Sequence, residues 1–191
     1  MNKDFNIAVV GASGAVGEVM LSILEERGYP AENITALASE RSAGKEVDYG
    51  RTSLVVQDLA KFDFSGVKYG LFSAGGSVSE KYAPIAAEAG AIVIDNTSAF
   101  RNIDEIPLVV PEVNPHMLEN VEPGSIIANP NCSTIQMLVA LAPIQKAVGI
   151  DRINVATYQS VSGAGASALR ELAEQTVERL SFKEPTLNKF A

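Results

Sequence analysis

The amino-acid sequence predicts an α/β fold with a doubly wound, mostly parallel sheet. Short apolar segments with the length of buried strands alternate with segments of helical periodicity through most of the 191 residues. Glycine and proline punctuate the boundaries between them. Strands that alternate with helices form βαβ units, in which the strands run parallel and the crossovers are right-handed. In such sheets a ligand binds beyond the carboxyl ends of the strands, and four of the predicted strands end in unusual polar or glycine-rich sequence.

The predicted elements follow one another in regular order along the chain. Strands are predicted at residues 5–10, 34–38, 53–59, 68–73, 91–94, 125–128 and 150–159. Helices are predicted at residues 14–27, 77–89, 133–148 and 166–180. Pro84 lies inside the second helix, where we expect a kink or a late start.

The composition is that of an acidic globular protein. Apolar residues make up 47% of the chain, and 15 Lys+Arg against 23 Asp+Glu give a net charge of −8. This charge argues against binding to nucleic acid or to an anionic membrane surface. No apolar run approaches the roughly 18 residues of a membrane span, and the N-terminus has no signal-peptide core. A single cysteine and a single histidine argue against disulfides and metal sites, and suit a cytoplasmic protein.

We place a domain boundary near residues 129–131. Residues 1–130 contain the alternating strands and helices of a first domain. Residues 131–191 contain too few elements to close a second core. We therefore expect this second region to be the beginning of an incomplete α+β domain.

The first predicted strand is followed by a glycine motif, Gly11-Ala-Ser-Gly-Ala-Val-Gly17. Gly11 permits a tight turn, Gly14 lets the backbone approach a pyrophosphate, and Gly17 allows close helix–strand packing. The helix that begins here offers unpaired N–H groups to phosphates. The motif predicts a Rossmann-like dinucleotide site at Gly11, Ser13, Gly14, Ala15, Val16 and Gly17. The alternative is a tight turn that binds nothing.

The second predicted strand ends in a segment that bears on cofactor choice. An acidic residue at this place accepts the ribose hydroxyls of NAD, whereas an arginine pairs with the 2′-phosphate of NADP. Both types are present, as Glu40 and Arg41. Arg41 and Ser42 together form a better phosphate clamp than Glu40 forms a ribose acceptor, so NADP is favoured, with Ser39 at the edge of the site. The alternative is an ordinary solvated loop.

Two further loops add small residues and anion donors. The loop after residue 72 is small enough for a cofactor to lie against its backbone, at Ser73, Gly75 and Gly76. The loop after residue 95 brings neutral donors and a guanidinium that suit an oxyanion such as phosphate. These side chains are Asn96, Ser98 and Arg101.

The cysteine of the chain lies in the segment Asn129-Pro-Asn-Cys-Ser-Thr134, between a strand and a helix. A lone cysteine is by default a small buried hydrophobic residue. A helix N-terminus, however, stabilises a thiolate and offers N–H groups to an oxyanion formed on a carbon bonded to sulfur. We therefore interpret Cys132 as a nucleophile.

A last motif, Tyr158-Gln-Ser-Val-Ser-Gly-Ala-Gly165, follows the strand predicted at 150–159. Gln159 is placed to hydrogen-bond a substrate carboxylate, and Ser162 and Gly163 are placed to approach a cofactor. The alternative is a small-residue turn between a strand and a helix.

Taken together, these motifs resemble those of the aspartate-semialdehyde dehydrogenase family along almost the whole chain. The resemblance is carried by GASGAVG (11–17), SERSAGK (39–45), SAGG (73–76), DNTSAFR (95–101), NPNCST (129–134) and YQSVSGAG (158–165). It implies that Cys132 is the acyl-thioester nucleophile and that Gln159 positions the substrate. The phosphate and substrate contacts implied are Asn96, Ser98, Arg101, Asn131 and Gln159. The NADP contacts implied are Ser13 to Val16, Arg41, Ser42, Ser162 and Gly163.

The resemblance also implies a reaction. The Cys132 thiolate displaces phosphate from 4-aspartyl phosphate, and hydride from NADPH reduces the resulting thioester to aspartate 4-semialdehyde. The family works as a homodimer in the biosynthesis of lysine, methionine and threonine. Its histidine base lies in a later part of the catalytic domain, whereas His116 lies outside every matching motif. We therefore expect a truncated chain with NADP binding and little or no dehydrogenase activity.

Three alternatives remain at this stage. N-acetyl-glutamyl-phosphate reductase follows the same chemical logic, although its cysteine motif differs from Asn131-Cys-Ser-Thr134. Glyceraldehyde-3-phosphate dehydrogenase chemistry also uses a cysteine at a helix start. A non-catalytic NADP-binding module would carry the same cofactor loops but an unreactive Cys132.

Overall fold

The computed structural model describes residues 3–188 and confirms the predicted alternation of strands and helices. The strands are β1 (Asn6–Val10), β2 (Ile34–Ala38), β3 (Glu46–Tyr49), β4 (Thr52–Val55), β5 (Gln57–Asp58), β6 (Val67–Phe72), β7 (Ile92–Asp95) and β8 (Ile126–Ala128). The α-helices are α1 (Ala15–Glu26), α2 (Gly76–Glu88), α3 (Cys132–Val148) and α4 (Ala166–Leu180).

Six of these strands form one parallel sheet in the order β5-β2-β1-β6-β7-β8. The chain builds outward from β1 in one direction and then returns to build outward through β6 in the other. This reversal defines a topological switch point between β1 and β6, as in Rossmann-like sheets. The predicted fold class is therefore confirmed.

Two apolar clusters pack on the sheet, and β1 contributes to both because successive side chains of a strand point to opposite faces. Ile7 and Val9 belong to the cluster that includes Leu21 of α1. Ala8 and Val10 belong to the cluster that includes α2 residues and Phe72. The side chain of Pro84 is accommodated inside α2 without ending the helix. Both faces of the sheet are therefore covered by apolar packing.

The strand predicted at residues 53–59 is instead divided between two sheets. β3 and β4 form an antiparallel hairpin around Gly50 and Arg51, with Gly50 at φ +59°. The chain then passes through the buried Val56, and β5 joins the main sheet beside β2. The sequence prediction missed β3, although Val47 and Tyr49 alternate with polar residues in the manner of a half-buried strand.

The strand predicted at residues 150–159 is wrong. Residues 151–160 are exposed, and no strand of residues 3–188 pairs with them. A strand needs a neighbour for its backbone N–H and C=O groups, and an apolar pattern alone does not supply one.

The chain divides into two compact units, Met1–Ile153 and Asn154–Ala191. The domain boundary predicted after residue 130 stays a prediction, because this division by contacts keeps α3 with the first unit. In the second unit a 3₁₀ turn, Val161–Ala164, precedes α4. The segment after α4 folds back on it, since the N–H of Thr186 donates to Glu178 and the N–H of Asn188 donates to Glu171.

The described residues, 3–188, contain no candidate for a membrane-spanning helix or for a metal site. None of the helices in this range is both long and apolar enough to cross a bilayer. No group of three metal-ligating side chains lies together in the same range.

Candidate functional site at the carboxyl edge of the sheet

Five loops lie side by side at one edge of the parallel sheet, because each follows the carboxyl end of one of five adjacent strands. In spatial order they are residues 39–42 after β2, 11–17 after β1, 73–76 after β6, 96–101 after β7 and 129–132 after β8. The sheet therefore brings together the glycine motif, the Glu40–Arg41 segment, both small-residue and anion-donor loops, and the cysteine motif. Neighbouring strands are about 4.8 Å apart, so the five loops form one continuous rim.

The glycine turn is tightly packed against its neighbours. Gly11 has φ +93°, and its N–H donates to the carbonyl oxygen of Leu37 at 2.8 Å. A Cβ at Gly11 would lie 2.7 Å from the carbonyl oxygen of Ser73. A Cβ at Gly17 would overlap the carbonyl oxygen of Gly11. These two positions accept only glycine, which is the close approach that the motif predicts.

Two helices begin beside each other at the switch point, and neither has a side-chain cap. Gly14 is the N-cap of α1 and Gly75 is the N-cap of α2, at φ +98°. Ser13, Ala15 and Val16 are exposed on the first of these helix starts. The first N–H groups of a helix lack intrahelical partners, and here no side chain satisfies them. This pair of uncapped N-termini, closed by glycines, fits the pyrophosphate of a dinucleotide.

The loop after β2 separates its two charged residues. Residues Glu40–Ser42 form a 3₁₀ turn, and Glu40 faces Lys61 with an N–O distance of 3.8 Å. Lys61 also pairs with Asp58 at 3.3 Å. Arg41 is exposed and has no ion-pair or hydrogen-bond partner among residues 3–188, and the half-buried Ser42 is next to it. The side chain of Glu40 is itself 85% exposed, so both charged groups are accessible to a ligand and Arg41 is the unpaired one of the two.

Arg101 lies where the loops after β7 and β8 meet, and two backbone carbonyls hold its guanidinium. Nε donates to the carbonyl oxygen of Asn129 at 2.9 Å, and Nη2 donates to that of Asn96 at 3.0 Å. Within the described range, no carboxylate forms an ion pair with this side chain. Ser98 in the same loop is exposed, and its Oγ lies 4.0 Å from the place of a Cβ at Gly76. Arg101 thus keeps its positive charge and its remaining N–H donors for an anion.

A chain of side-chain amides links the three loops after β6, β7 and β8. Nδ2 of Asn129 donates to Oδ1 of Asn96 at 2.7 Å, and Nδ2 of Asn96 donates to Oγ of Ser73 at 3.5 Å. Backbone bonds run in parallel, from Asn96 to Phe72 and from Asn129 to Asp95, both at 2.8 Å. Asn129 was part of a quoted motif but was not predicted as a site residue. Its position one residue beyond a buried strand is the feature of the sequence that could have indicated it.

Cys132 is the first residue of α3 and is exposed. Asn131 is the N-cap, and its Oδ1 accepts from the N–H of Ser133 at 3.1 Å and from the Ser133 hydroxyl at 2.7 Å. The thiol lies 3.9 Å from the same Oδ1. The cap uses the Oδ1 of Asn131, so the Nδ2 of the same amide remains available as a donor. An exposed thiol on the first turn of a 17-residue helix is accessible to a substrate, as a nucleophile must be, and is not a core residue.

The remaining site residues predicted from sequence belong to the second compact unit. Gln159 is exposed there, and the hydroxyls of Ser160 and Ser162 lie 2.7 Å apart at the start of the 3₁₀ turn that contains Gly163. Their assignment to substrate and cofactor stays a prediction. His116 is exposed in a 3₁₀ turn, Pro115–Leu118, and belongs to none of the five loops.

Comparison with protein families gives two matches along the chain. The model of the semialdehyde dehydrogenase NAD binding domain matches residues 6–121, which is more than half of the chain. The model of the semialdehyde dehydrogenase dimerisation domain matches residues 141–191. The first match contains four of the five loops at the edge of the sheet.

Curated relatives are aspartate-semialdehyde dehydrogenases from bacteria. Aspartate-semialdehyde dehydrogenase 2 of Vibrio cholerae is 56% identical over 191 residues, which cover 100% of this chain and 57% of that protein. The enzyme of Bacillus subtilis is 53% identical over 184 residues, which cover 96% of this chain and 53% of that protein. The chain therefore spans little more than half the length of the relatives that it matches.

Solved structures agree with these matches. Aspartate semialdehyde dehydrogenase II of Vibrio cholerae, complexed with ASA, superposes with a TM-score of 0.89 at 56% identity, over 98% of this chain and 56% of that one. The aspartate semialdehyde dehydrogenase of Candida albicans with NADP superposes with a TM-score of 0.64 at 26% identity, over 76% and 48%. The chain belongs to the semialdehyde dehydrogenase family and carries its pyridine-nucleotide-binding domain.

Proposed function

We propose that this chain provides the nucleotide-binding and nucleophilic parts of an aspartate-semialdehyde dehydrogenase, which converts 4-aspartyl phosphate to aspartate 4-semialdehyde in the biosynthesis of lysine, methionine and threonine. The observation that carries the proposal is the exposed Cys132 thiol at the start of α3, on the rim that also holds the glycine turn and Arg101. The names of the most similar relatives support this substrate over N-acetyl-glutamyl phosphate.

The first chemical step is acyl transfer to Cys132. The thiolate is the nucleophilic form of the side chain. The thiolate attacks the acyl carbon of the acyl phosphate, the C–O bond to phosphate breaks, and a thioester remains on Sγ. The N–H groups of the first turn of α3, other than the Ser133 N–H that Asn131 caps, are suited to stabilise the oxyanion that forms during the attack.

Arg101 is the proposed binding group for the transferred phosphate. Its guanidinium is fixed by the carbonyl oxygens of Asn96 and Asn129, so little side-chain entropy remains to be lost when an anion binds. The fork of the remaining N–H groups matches two phosphate oxygens. Ser98 and the Nδ2 of Asn131 are neutral donors of the same loops, and Gln159 is assigned to the substrate carboxylate.

The uncapped starts of α1 and α2 would hold the pyrophosphate of the cofactor, and residues 39–42 would hold its adenosine ribose. We infer NADP rather than NAD, because Glu40 is drawn toward Lys61 while Arg41 is unpaired. When bound, the nicotinamide supplies the hydride that reduces the acyl group to the aldehyde. The protein contributes binding and orientation of the reacting groups.

The complete protein is proposed to act as a cytoplasmic homodimer. The dimerisation-domain match over residues 141–191 supports the dimer. Exposed apolar side chains on α3 and α4 also support it, with Val148 81% exposed and Leu180 77% exposed. Exposed apolar surface of this kind is typical of faces that pack against further protein.

The proposal is tested by following acylation of Cys132 alone. The unchanged chain is mixed with 4-aspartyl phosphate without nucleotide, and we expect one equivalent of phosphate to be released as the protein gains one aspartyl group at Cys132 by mass spectrometry. Cys132→Ser is expected to lose both signals. His116→Ala serves as the matched control and is expected to retain both, because His116 is exposed and lies outside the rim.

A thiol that alkylates no faster at pH 7 than free cysteine, together with an absence of acylation, would contradict the proposed chemistry. That result would favour a nucleotide-binding module without catalysis. Binding of NADP by the glycine turn would remain in that case and is measured separately by calorimetry.

A further inference from the structure

A buried carboxylate lies beneath the rim, at the end of β7, and the proposed chemistry does not use it. Asp95 is 0% exposed and has a hydroxyl donor on each carboxylate oxygen. Ser79 Oγ donates to Oδ1 at 2.6 Å and Thr97 Oγ1 donates to Oδ2 at 2.6 Å. Ser79 is also 0% exposed and Thr97 is 9% exposed. A fully buried carboxylate is costly unless it is hydrogen-bonded in this way, and a neutral residue would fill the core without that cost.

The two hydroxyl groups belong to different elements of the fold. Ser79 lies in the first turns of α2, the helix that begins at the proposed pyrophosphate site. Thr97 lies in the loop that leads from β7 to Arg101, and its Oγ1 also accepts from the N–H of Ala99 at 3.2 Å. The hydrogen bond from Thr97 to Asp95 therefore fixes both the side chain and the backbone turn of this loop.

The same residue is connected to the loop after β8. The carbonyl oxygen of Asp95 accepts from the N–H of Asn129 at 2.8 Å, and Asn129 in turn accepts from Nε of Arg101. Asp95 thus fixes two backbone segments on which the guanidinium depends, one through its carboxylate and one through its carbonyl group.

We propose that Asp95 is a positioning residue for the anion site: through Thr97 it holds the turn that places the Arg101 guanidinium. This inference rests on the proposed function, which assigns phosphate to Arg101. Asp95 itself does not touch the anion, since its carboxylate is buried and both of its oxygens are occupied by Ser79 and Thr97.

The experiment compares the two hydroxyl partners of Asp95. Thr97→Val and Ser79→Ala each remove one 2.6 Å bond to the same carboxylate. Thr97→Val also removes the acceptor of the Ala99 N–H, so a substitution of Asp95 itself is needed to separate the carboxylate from this second bond. Binding of inorganic phosphate to the unchanged 191-residue chain and to each variant is measured by ³¹P NMR titration, and the resistance of each variant to urea is measured in parallel.

We expect Thr97→Val to weaken phosphate binding at least fivefold and Ser79→Ala to change it less than twofold. Thr97→Ser keeps the hydroxyl and is expected to restore binding to within twofold of the unchanged chain. Asp95→Ala removes both acceptor oxygens, leaves Thr97 and its bond from Ala99 in place, and is expected to weaken binding at least fivefold. A purely structural role would affect resistance to urea in Thr97→Val and Ser79→Ala without separating their phosphate affinities.

Equal phosphate affinity in the unchanged chain and Thr97→Val would overturn the role of Asp95 and leave the proposed function standing. Equal weakening in Thr97→Val and Ser79→Ala would also overturn it, because the effect would then follow stability alone. An unchanged chain that binds no phosphate would overturn both this inference and the anion site of the proposed function. If Thr97→Val does not fold, phosphate binding of Asp95→Ala at the unchanged affinity is the contradicting result.

Discussion

The two ends of the rim are held in different ways. Around the loops after β6, β7 and β8, side-chain and backbone bonds connect Ser73, Asn96, Arg101 and Asn129, with the buried Asp95 beneath them. At the other end, the loop of Glu40–Ser42 is anchored by backbone bonds and by an exposed ion pair, and Arg41 extends from it without a partner among residues 3–188. Exposed ion pairs contribute little to stability.

This difference between the two ends of the rim matches the different roles proposed for them. Where bonds break and charge develops, groups fixed in advance lower the cost of reaching the transition state. At the loop after β2 the proposed ligand is a ribose phosphate, and an exposed arginine without a partner can close on that ligand at a cost that binding offsets. Substitutions at the fixed end, at the Arg41 end and at the glycine turn between them test this difference.

The largest effect is expected at the glycine turn between the two ends. Gly17→Ala places a Cβ against the carbonyl oxygen of Gly11, which belongs to the backbone and cannot move aside without opening the turn. We expect loss of measurable nucleotide binding and a destabilisation of about 3 kcal/mol. Gly14→Ala is the matched control for stability alone, since its Cβ would lie 3.3 Å from the same oxygen but Gly14 belongs to the proposed nucleotide site. Calorimetric titration and urea unfolding measure the two effects, and equal destabilisation of the two variants would contradict the packing argument.

At the fixed end, Arg101→Ala is expected to weaken phosphate binding roughly a hundredfold. This factor corresponds to about 3 kcal/mol, the upper value for hydrogen bonds to a charged group. Arg101→Lys keeps the charge but cannot bind both carbonyl oxygens of Asn96 and Asn129 as the guanidinium does. We therefore expect the lysine variant to recover only a small part of the loss. Full recovery in a ³¹P NMR titration would show that charge alone suffices and that the fixed geometry contributes nothing.

At the Arg41 end, Arg41→Ala is expected to weaken NADP binding about tenfold and to leave NAD binding unchanged, because the 2′-phosphate is the group proposed to bind the guanidinium. Lys61→Ala releases Glu40 from its ion pair and is expected to improve NAD binding about twofold. Both affinities are measured by calorimetry for each variant. Equal losses for NADP and NAD in Arg41→Ala would refute the assignment of this loop to the 2′-phosphate.

The sequence was informative where chemistry is local. The glycine turn and the start of α3 could be predicted because a glycine spacing or a cysteine between strand and helix has the same meaning in any parallel sheet. The bonds that hold Arg101 could not be predicted, because both of the acceptors described for its guanidinium are backbone carbonyl groups. The sequence does not encode which carbonyl group a guanidinium contacts. The absent strand at 150–159 has a related cause, since pairing depends on a neighbour that is distant in sequence.

The β3–β4 hairpin, which sequence analysis missed, provides the smallest effect at neutral pH. Tyr49 of β3 is buried, and its hydroxyl donates to the carbonyl oxygen of Tyr29 at 2.8 Å. Tyr49→Phe removes this bond and is expected to cost about 1 kcal/mol at pH 7, as measured by urea unfolding. The hairpin follows the loop of Glu40–Ser42 along the chain and is not part of it. The NADP affinity of Tyr49→Phe is therefore expected to fall less than twofold.

The pH dependence of the same position sharpens this prediction. Burial, and secondarily the charge of Glu25, raise the pKa of Tyr49 to about 12, from about 10 in the unfolded chain. Between these values the unfolded state binds fewer protons than the native state, so stability is lost as the pH rises from 10 to 12. Tyr49→Phe lacks this loss, which approaches about 3 kcal/mol over two pKa units. The difference in stability between the two proteins should therefore shrink to zero and then change sign across that interval. If the difference stayed constant from pH 9 to pH 11.5, Tyr49 would titrate as in the unfolded chain and the hairpin would be open to water at that pH.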